Sequence, residues 1–284
     1  LKIFAPAKIV ENIINLKPDL VINDILTTLE GDVLPLQKNG IKVVNFEDLG
    51  DGAKMANLTI NELYDEPTYQ SDNTLWGHQY FFVREEFSDA KRHRFKKQVK
   101  NILLTFGGTD QHDLTSQIYH TINDLCSKRG IFIHIVTGPG YSGYDKLNAI
   151  IEDNSMVTIT RETGAISAIM EKTELAIVSN GRTVLELAHM NIPAIVISQH
   201  KREGTHSFSV EKNGFIYLGL FKNQKTTQDV AHNLELLLDN EIYRHKLFKN
   251  TTKFSFNNNK KRILNEIEIL LEKSEEKTYI ENIR

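Results

Sequence analysis

The sequence predicts an α/β protein made of two domains, each a parallel β-sheet wound with helices on both faces. Three observations carry this. Short apolar runs typical of buried strands recur along the chain. Amphipathic stretches long enough for helices fill most of the gaps between them, the alternation that builds parallel sheets. A length of 284 residues accommodates two domains of ordinary size.

In chain order, strands are expected at residues 20–25, 41–46, 102–106, 131–136, 156–159, 175–178 and 194–197. Helices are expected at 113–128, 144–153, 183–189, 227–238 and 263–272, several opening after a Thr or Asp that can cap a first turn. A charged run from 84 to 100 interrupts the rhythm, so the domains are placed at 1–95 and 96–284. The stretch from Asn240 reads as two helices parted by Asn257, Asn258 and Asn259, with a solvated charged face. If both sheets are doubly wound, a ligand belongs at the carboxyl ends of their strands, in the cleft between domains.

Composition narrows the function. Hydrophobic residues make up 40% and charged residues 25%, with 16 Gly and 6 Pro, which excludes disordered, collagen-like and disulfide-framework chains. A formal charge of −3 argues against a coat for nucleic acid or anionic lipid, so an anionic ligand must be met locally. One cysteine, Cys126, forms neither an internal disulfide nor a cysteine zinc cluster and fits a reducing, cytoplasmic compartment. No run reaches the roughly 18 apolar residues of a membrane span, so no integral membrane segment is expected. The chain starts at Leu1 rather than Met, and the expectation is a processed protein or a piece of a longer one.

Two strand-to-helix turns stand out. In ILLTFGGTD, residues 102–110, an apolar strand runs into Gly107, Gly108 and Thr109. Two glycines there let a backbone approach a phosphate, with N–H donors from the next helix, although a tight turn without ligand reads the same. In LAIVSNGRTVLELAHMNIPAIVI, residues 175–197, a strand leads to Asn180, Gly181, Arg182 and Thr183 and a helix carrying Glu186. Gly181 can bring main-chain N–H groups to a diphosphate, Arg182 adds charge, and Glu186 can accept from two ribose hydroxyls. The alternative is an exposed Glu186 paired with Arg182.

After the strand at 194–197, His200, Lys201, Arg202, Glu203 and His206 crowd one loop, as functional loops at strand ends do. No third histidine joins His200 and His206 at ligand spacing, so no metal is expected. His134, on the same strand face as Phe132 and Val136, reads as structural. In the first half, Asp24, Glu47 and Asp48 fall near strand ends, placed either to hold sugar hydroxyls and exchange protons or to cap the next helix.

Together, FGGTD, NGRTVLELAHMNIPAIVI and WGHQYFFVREEF (residues 76–87) resemble a group of GT-B-fold proteins. These are the nucleotide-sugar hydrolases of pseudaminic acid biosynthesis, which cleave UDP-2,4-diacetamido-2,4,6-trideoxy-β-L-altrose, with their spore-coat-polysaccharide and family 28 glycosyltransferase relatives. The resemblance spans roughly residues 15–220 and rests also on Gly77, Tyr80, Arg84 and Phe87, which recur in that group just before the second domain. It implies a GT-B-like pair of Rossmann-type domains, the first truncated, and a UDP-sugar hydrolase of surface-polysaccharide or nonulosonic acid biosynthesis, needing no cofactor. A glycosyltransferase on the same UDP site is the alternative. The implied nucleotide contacts are Gly107, Gly108, Thr109, Asn180, Gly181, Arg182, Thr183 and Glu186, with Asp24, Glu47, Asp48 and Arg202 as candidates for sugar or phosphate. The group's G-x-G-H-x-x-R histidine loop is absent, which leaves Asp24, His200 and His206 as the candidate catalytic groups. Some relatives follow a cytidylyltransferase in a longer chain, so a fused or associated cytidylyltransferase, and a non-catalytic role beside it, is a further expectation.

Overall fold

The structure, a computed structural model, describes residues 8–161, 164 and 166–281, with the side chains of 273–281 set aside. The chain divides into two compact units, Leu1–Phe82 with Asn258–Arg284, and Val83–Asn257.

The first unit contains α1 (Ile9–Leu16), β1 (Leu20–Asp24), α2 (Glu30–Lys38), β2 (Lys42–Phe46), α3 (Asp51–Met55), β3 (Leu58–Asn61) and β4 (Thr74–Trp76). Its four strands are parallel and lie in the order β1-β2-β3-β4. Period-2 alternation sends Val43 and Val44 of β2 to opposite faces. Val43 packs with Val33, Leu36, Ile41 and Ala56. Val44 packs with Leu58, Ile60, Ile263 and Ile267.

Those two isoleucines belong to the last helix of the chain, Asn259–Glu281. The division between the units falls at 82/83, where the sequence suggested 95/96, and the final helix belongs with the first unit. The reason is packing, because one apolar helix stripe closes the open face of the four-stranded sheet, and Asn259 Nδ2 donates to Phe81 O at 2.6 Å.

The second unit holds β5 (Asn101–Thr105), α4 (Leu114–Lys128), β6 (Phe132–Thr137), α5 (Tyr144–Ile151), β7 (Val157–Arg161), α6 (Ile166–Met170), β8 (Leu175–Ser179) and α7 (Arg182–His189). It continues through β9 (Ala194–Ser198), β10 (Phe215–Leu220), α8 (Gln224–Asp239) and α9 (Glu241–Thr251), which makes the final helix α10. Its six strands are parallel in the order β10-β9-β8-β5-β6-β7. From β5 the chain winds outward to β6 and β7, then returns to β8 and winds the other way. Winding therefore reverses between β5 and β8, the point at which doubly wound sheets open a crevice at their carboxyl ends. Strands β8 and β9 are buried at every residue, as central parallel strands require.

Candidate functional site

The turn after β5 is built by backbone packing. Gly107 takes φ +73°, a left-handed conformation that favours glycine. Its carbonyl accepts from Gly138 N at 3.2 Å, and that of Gly108 accepts from Gly140 N at 3.0 Å. A Cβ on Gly138 would fall 2.4 Å from Gly108 Cα, so the loop after β6 rests directly on this turn. A Cβ on Gly108 would meet nothing within 4 Å.

The helix that follows is already capped. Asp110 is buried and its carboxylate accepts the N–H groups of Leu114 and Thr115, each at 2.8 Å. Burial pushes its pKa up, opposed by those same hydrogen bonds. Gln117 N donates to Asp113 O at 3.1 Å. At the start of α4 the N–H groups of Leu114, Thr115 and Gln117 are thus taken by the protein's own groups.

The turn after β8 differs. Gly181 is the N-cap of α7, in extended backbone, and has no side chain with which to cap the helix. A Cβ on Gly181 would meet nothing within 4 Å. Arg182 is exposed and Thr183 half-buried at the first turn.

The side chain of Asn180, a residue expected to touch nucleotide, ties two loops together. Its Nδ2 donates to Glu203 O at 2.7 Å and His206 O at 3.2 Å, and its Oδ1 accepts from Ser209 Oγ. His206 Nδ1 faces Asn180 O at 2.5 Å, which makes Nδ1 the protonated nitrogen. Burial, together with Arg202 and His200, drives the His206 pKa down to about 4, so the ring is neutral near pH 7.

Glu186 is buried, which overturns the alternative of an exposed surface pair. Its Oε1 accepts from Arg84 Nε at 3.2 Å, and Arg84 also reaches Glu86 at 2.9 Å. Burial raises the Glu186 pKa while Arg84 and Arg182 oppose the rise. The sequence signalled Arg84 as a recurring residue but not its partner 102 positions away.

The loop after β9 leans toward the β5 turn. Gln199 Nε2 donates to Phe106 O at 2.8 Å, and Gln199 N donates to Glu203 Oε2 at 2.6 Å. Glu203 is buried, its pKa raised by that burial, and its Oε1 lies 3.7 Å from Nε2 of the exposed His200. Phe106, Gly107, Gly108, Thr109, Gln199 and Glu203 are among the residues lining a cavity of about 190 Å³. Glu203 thus lines this cavity, where the sequence showed it only in a crowded loop. Arg202 is half-buried in the same loop.

In the first unit, Asp24 is exposed at the end of β1. Glu47 takes φ 55°, and its Oε1 accepts from Leu63 N at 3.2 Å. Asp48 is fully buried and accepts from Thr28 N at 3.0 Å, Gly50 N at 2.8 Å, Thr28 Oγ1 at 2.5 Å and Asn45 Nδ2 at 2.7 Å. These bonds tie the loop before α3, whose N-cap is Gly50, to Thr28 and Asn45. His134 bonds Thr158 and Asn101 inside the sheet, in keeping with a structural role. Among the described residues, no group of three or more His, Cys, Asp or Glu side chains is placed to hold a metal ion, and no helix is long and apolar enough to cross a membrane.

Residues 102–267, running from β5 into α10, match the model of the glycosyltransferase family 28 C-terminal domain. The chain belongs to this family. Among curated relatives, an uncharacterised protein of Methanocaldococcus jannaschii is 29% identical over 210 residues, covering 68% of this chain and 43% of that protein. The spore coat polysaccharide biosynthesis protein SpsG of Bacillus subtilis is 24% identical over 215 residues, covering 72% of this chain and 63% of SpsG. The chain therefore spans about half to two thirds of the length of these relatives. Among solved structures, S. aureus MnaA in a co-structure with UDP superposes with TM-score 0.66 at 14% identity, covering 95% of this chain and 83% of that one. That likeness supports the GT-B-like α/β fold read from the sequence.

Proposed function

We propose that the second unit binds a UDP-sugar at the carboxyl ends of β5 and β8 and takes part in breaking the bond between the anomeric carbon and the diphosphate. The observation that carries this is the pair of turns flanking the winding reversal, where Gly108 and Gly181 face space that a Cβ would not share with any protein atom. Neither glycine is required by packing, and both admit the close approach of a phosphate to main-chain N–H groups. The spore-coat relative and the UDP bound to MnaA support the choice of ligand.

Negative charge builds on the diphosphate as the C–O bond breaks. The N–H groups at Gly108 and Gly181, with Arg182, stabilise that charge more in the transition state than in the ground state. Glu186 keeps one oxygen on Arg84 and turns the other to the ribose hydroxyls, its ionised form supported by both arginines.

Water as acceptor makes the protein a hydrolase of the pseudaminic acid type. A sugar hydroxyl makes it a transferase, a reading that the family 28 match supports about equally. As one module beside a cytidylyltransferase it would bind without turnover. Incubating the chain with UDP-N-acetylglucosamine, with and without sugar acceptors, and measuring released UDP separates these cases. Release without acceptor marks a hydrolase, release only with acceptor a transferase, and binding without release a module. Neither binding nor release would overturn the proposal.

A further inference from the structure

The basic run at residues 91–97 takes no part in the site above. In the second unit, Lys91, Arg92, His93, Arg94 and Lys96, with Glu171, line a cavity of about 510 Å³. It lies at the opposite pole of the sheet from the glycine turns. Glu174, which anchors Lys96 at 2.6 Å, also accepts from the N–H groups of Lys100 and Asn101, where β5 begins.

Charge is unbalanced there. Arg92 is half-buried and held by three neutral acceptors, His189 O, Asn191 Oδ1 at 2.6 Å and Phe254 O, with no carboxylate among them. Burial lowers its pKa, the mark of a cation lacking a counter-charge. Lys91 and Arg94 are exposed, and neither side chain has a hydrogen bond or ion pair among the described residues. Glu171 is the one carboxylate in the lining, and its Oε1 accepts the main-chain N–H of Lys91 at 2.8 Å. In a chain of net charge −3, such a local excess of cations runs against the average.

We propose that this cavity is a second anion site, which takes a small ligand bearing two or more phosphate charges. Arg92 is pre-positioned by its three bonds, so its guanidinium gives up little freedom on meeting a phosphate. Lys91 and Arg94 close on the ligand from the exposed side. Concavity favours a soluble ligand over a lipid headgroup, and among the described residues no large apolar side chain is exposed between 84 and 100 to anchor a bilayer.

The probe is inorganic pyrophosphate, titrated calorimetrically into the 284-residue chain and into two variants. Lys91→Ala/Arg94→Ala removes side chains that have no partner among the described residues and leaves Arg92 in its structural bonds. Gly181→Ala perturbs the turn after β8, where pyrophosphate also has reason to bind. The expected result is binding that survives Gly181→Ala, weakens at least about tenfold in the double variant and falls with added salt. Absence of binding to the unmodified chain, equal binding in the double variant, or complete loss in Gly181→Ala would overturn the proposal. Co-sedimentation with phosphatidylserine vesicles that depends on Lys91 and Arg94, without pyrophosphate binding, would overturn the soluble-ligand assignment.

Discussion

The turns after β5 and β8 leave neighbouring strands at the same reversal of winding, and both carry glycine, yet they present different chemistry. At the first, Asp110 folds back and takes the N–H groups of Leu114 and Thr115, so α4 begins closed. At the second, the N-cap is Gly181, which brings no side chain of its own to the start of α7. Glycine spacing marks where a backbone can approach a ligand. Whether a nearby side chain takes the first N–H groups of the helix decides whether the helix itself can hold the ligand.

The largest effect that sharpens this contrast is on stability. Asp110→Ala strands two buried N–H donors and is expected to cost about 4 kcal/mol in urea unfolding. Equal stability of the variant would break the distinction between the two turns. Next comes acid sensitivity at the far end of α7. His189 is buried, its Nδ1 accepts from Phe256 N at 3.2 Å, and burial reinforced by Arg92 drives its pKa from 6.5 to about 4. Folding favours the neutral ring, so this contribution is complete above pH 6.5 and is lost as the pH falls toward 4, about 3 kcal/mol in all. Urea unfolding between pH 7 and pH 4 measures it, and His189→Gln is expected to flatten the slope.

Smaller effects concern the ligand. Gly181→Ala is expected to weaken UDP binding about thirtyfold, close to 2 kcal/mol, with an unchanged or slightly raised melting temperature. Gly108→Ala is expected to weaken it about fivefold, because only the turn and not the helix faces the ligand there. Asp24→Asn, on an exposed strand end in the first unit, is expected to change stability by less than about 0.5 kcal/mol, read from the melting curve.

The central strands were legible because continuous apolar runs such as residues 175–178 have few other uses. β3 and β4 were not: Leu58–Asn61 alternates apolar and polar side chains although all four are buried, and Thr74–Trp76 is three residues long. β10 breaks its own pattern, with a register shift between Tyr217 and Leu220 and Gly219 at φ +81°. α10 was legible as a helix, but the spacing of Ile263 and Ile267 says only that one face is buried, not against which sheet. In the site, the glycines of both turns were visible. The commitment of Asn180 to Glu203, His206 and Ser209 was not, because an amide side chain reads alike whether it meets a ligand or another loop. The pairing of Arg84 with Glu186 joins residues too far apart in sequence to leave a local signal.

The most direct test of the account is calorimetric titration of the 284-residue chain with UDP, against CMP and GDP, in the unmodified protein and in Glu186→Ala and Gly181→Ala. Selective UDP binding that is weakened by both substitutions is the predicted result. No nucleotide binding, or UDP binding indifferent to both substitutions, would contradict the placement of a nucleotide site at the β8–α7 turn.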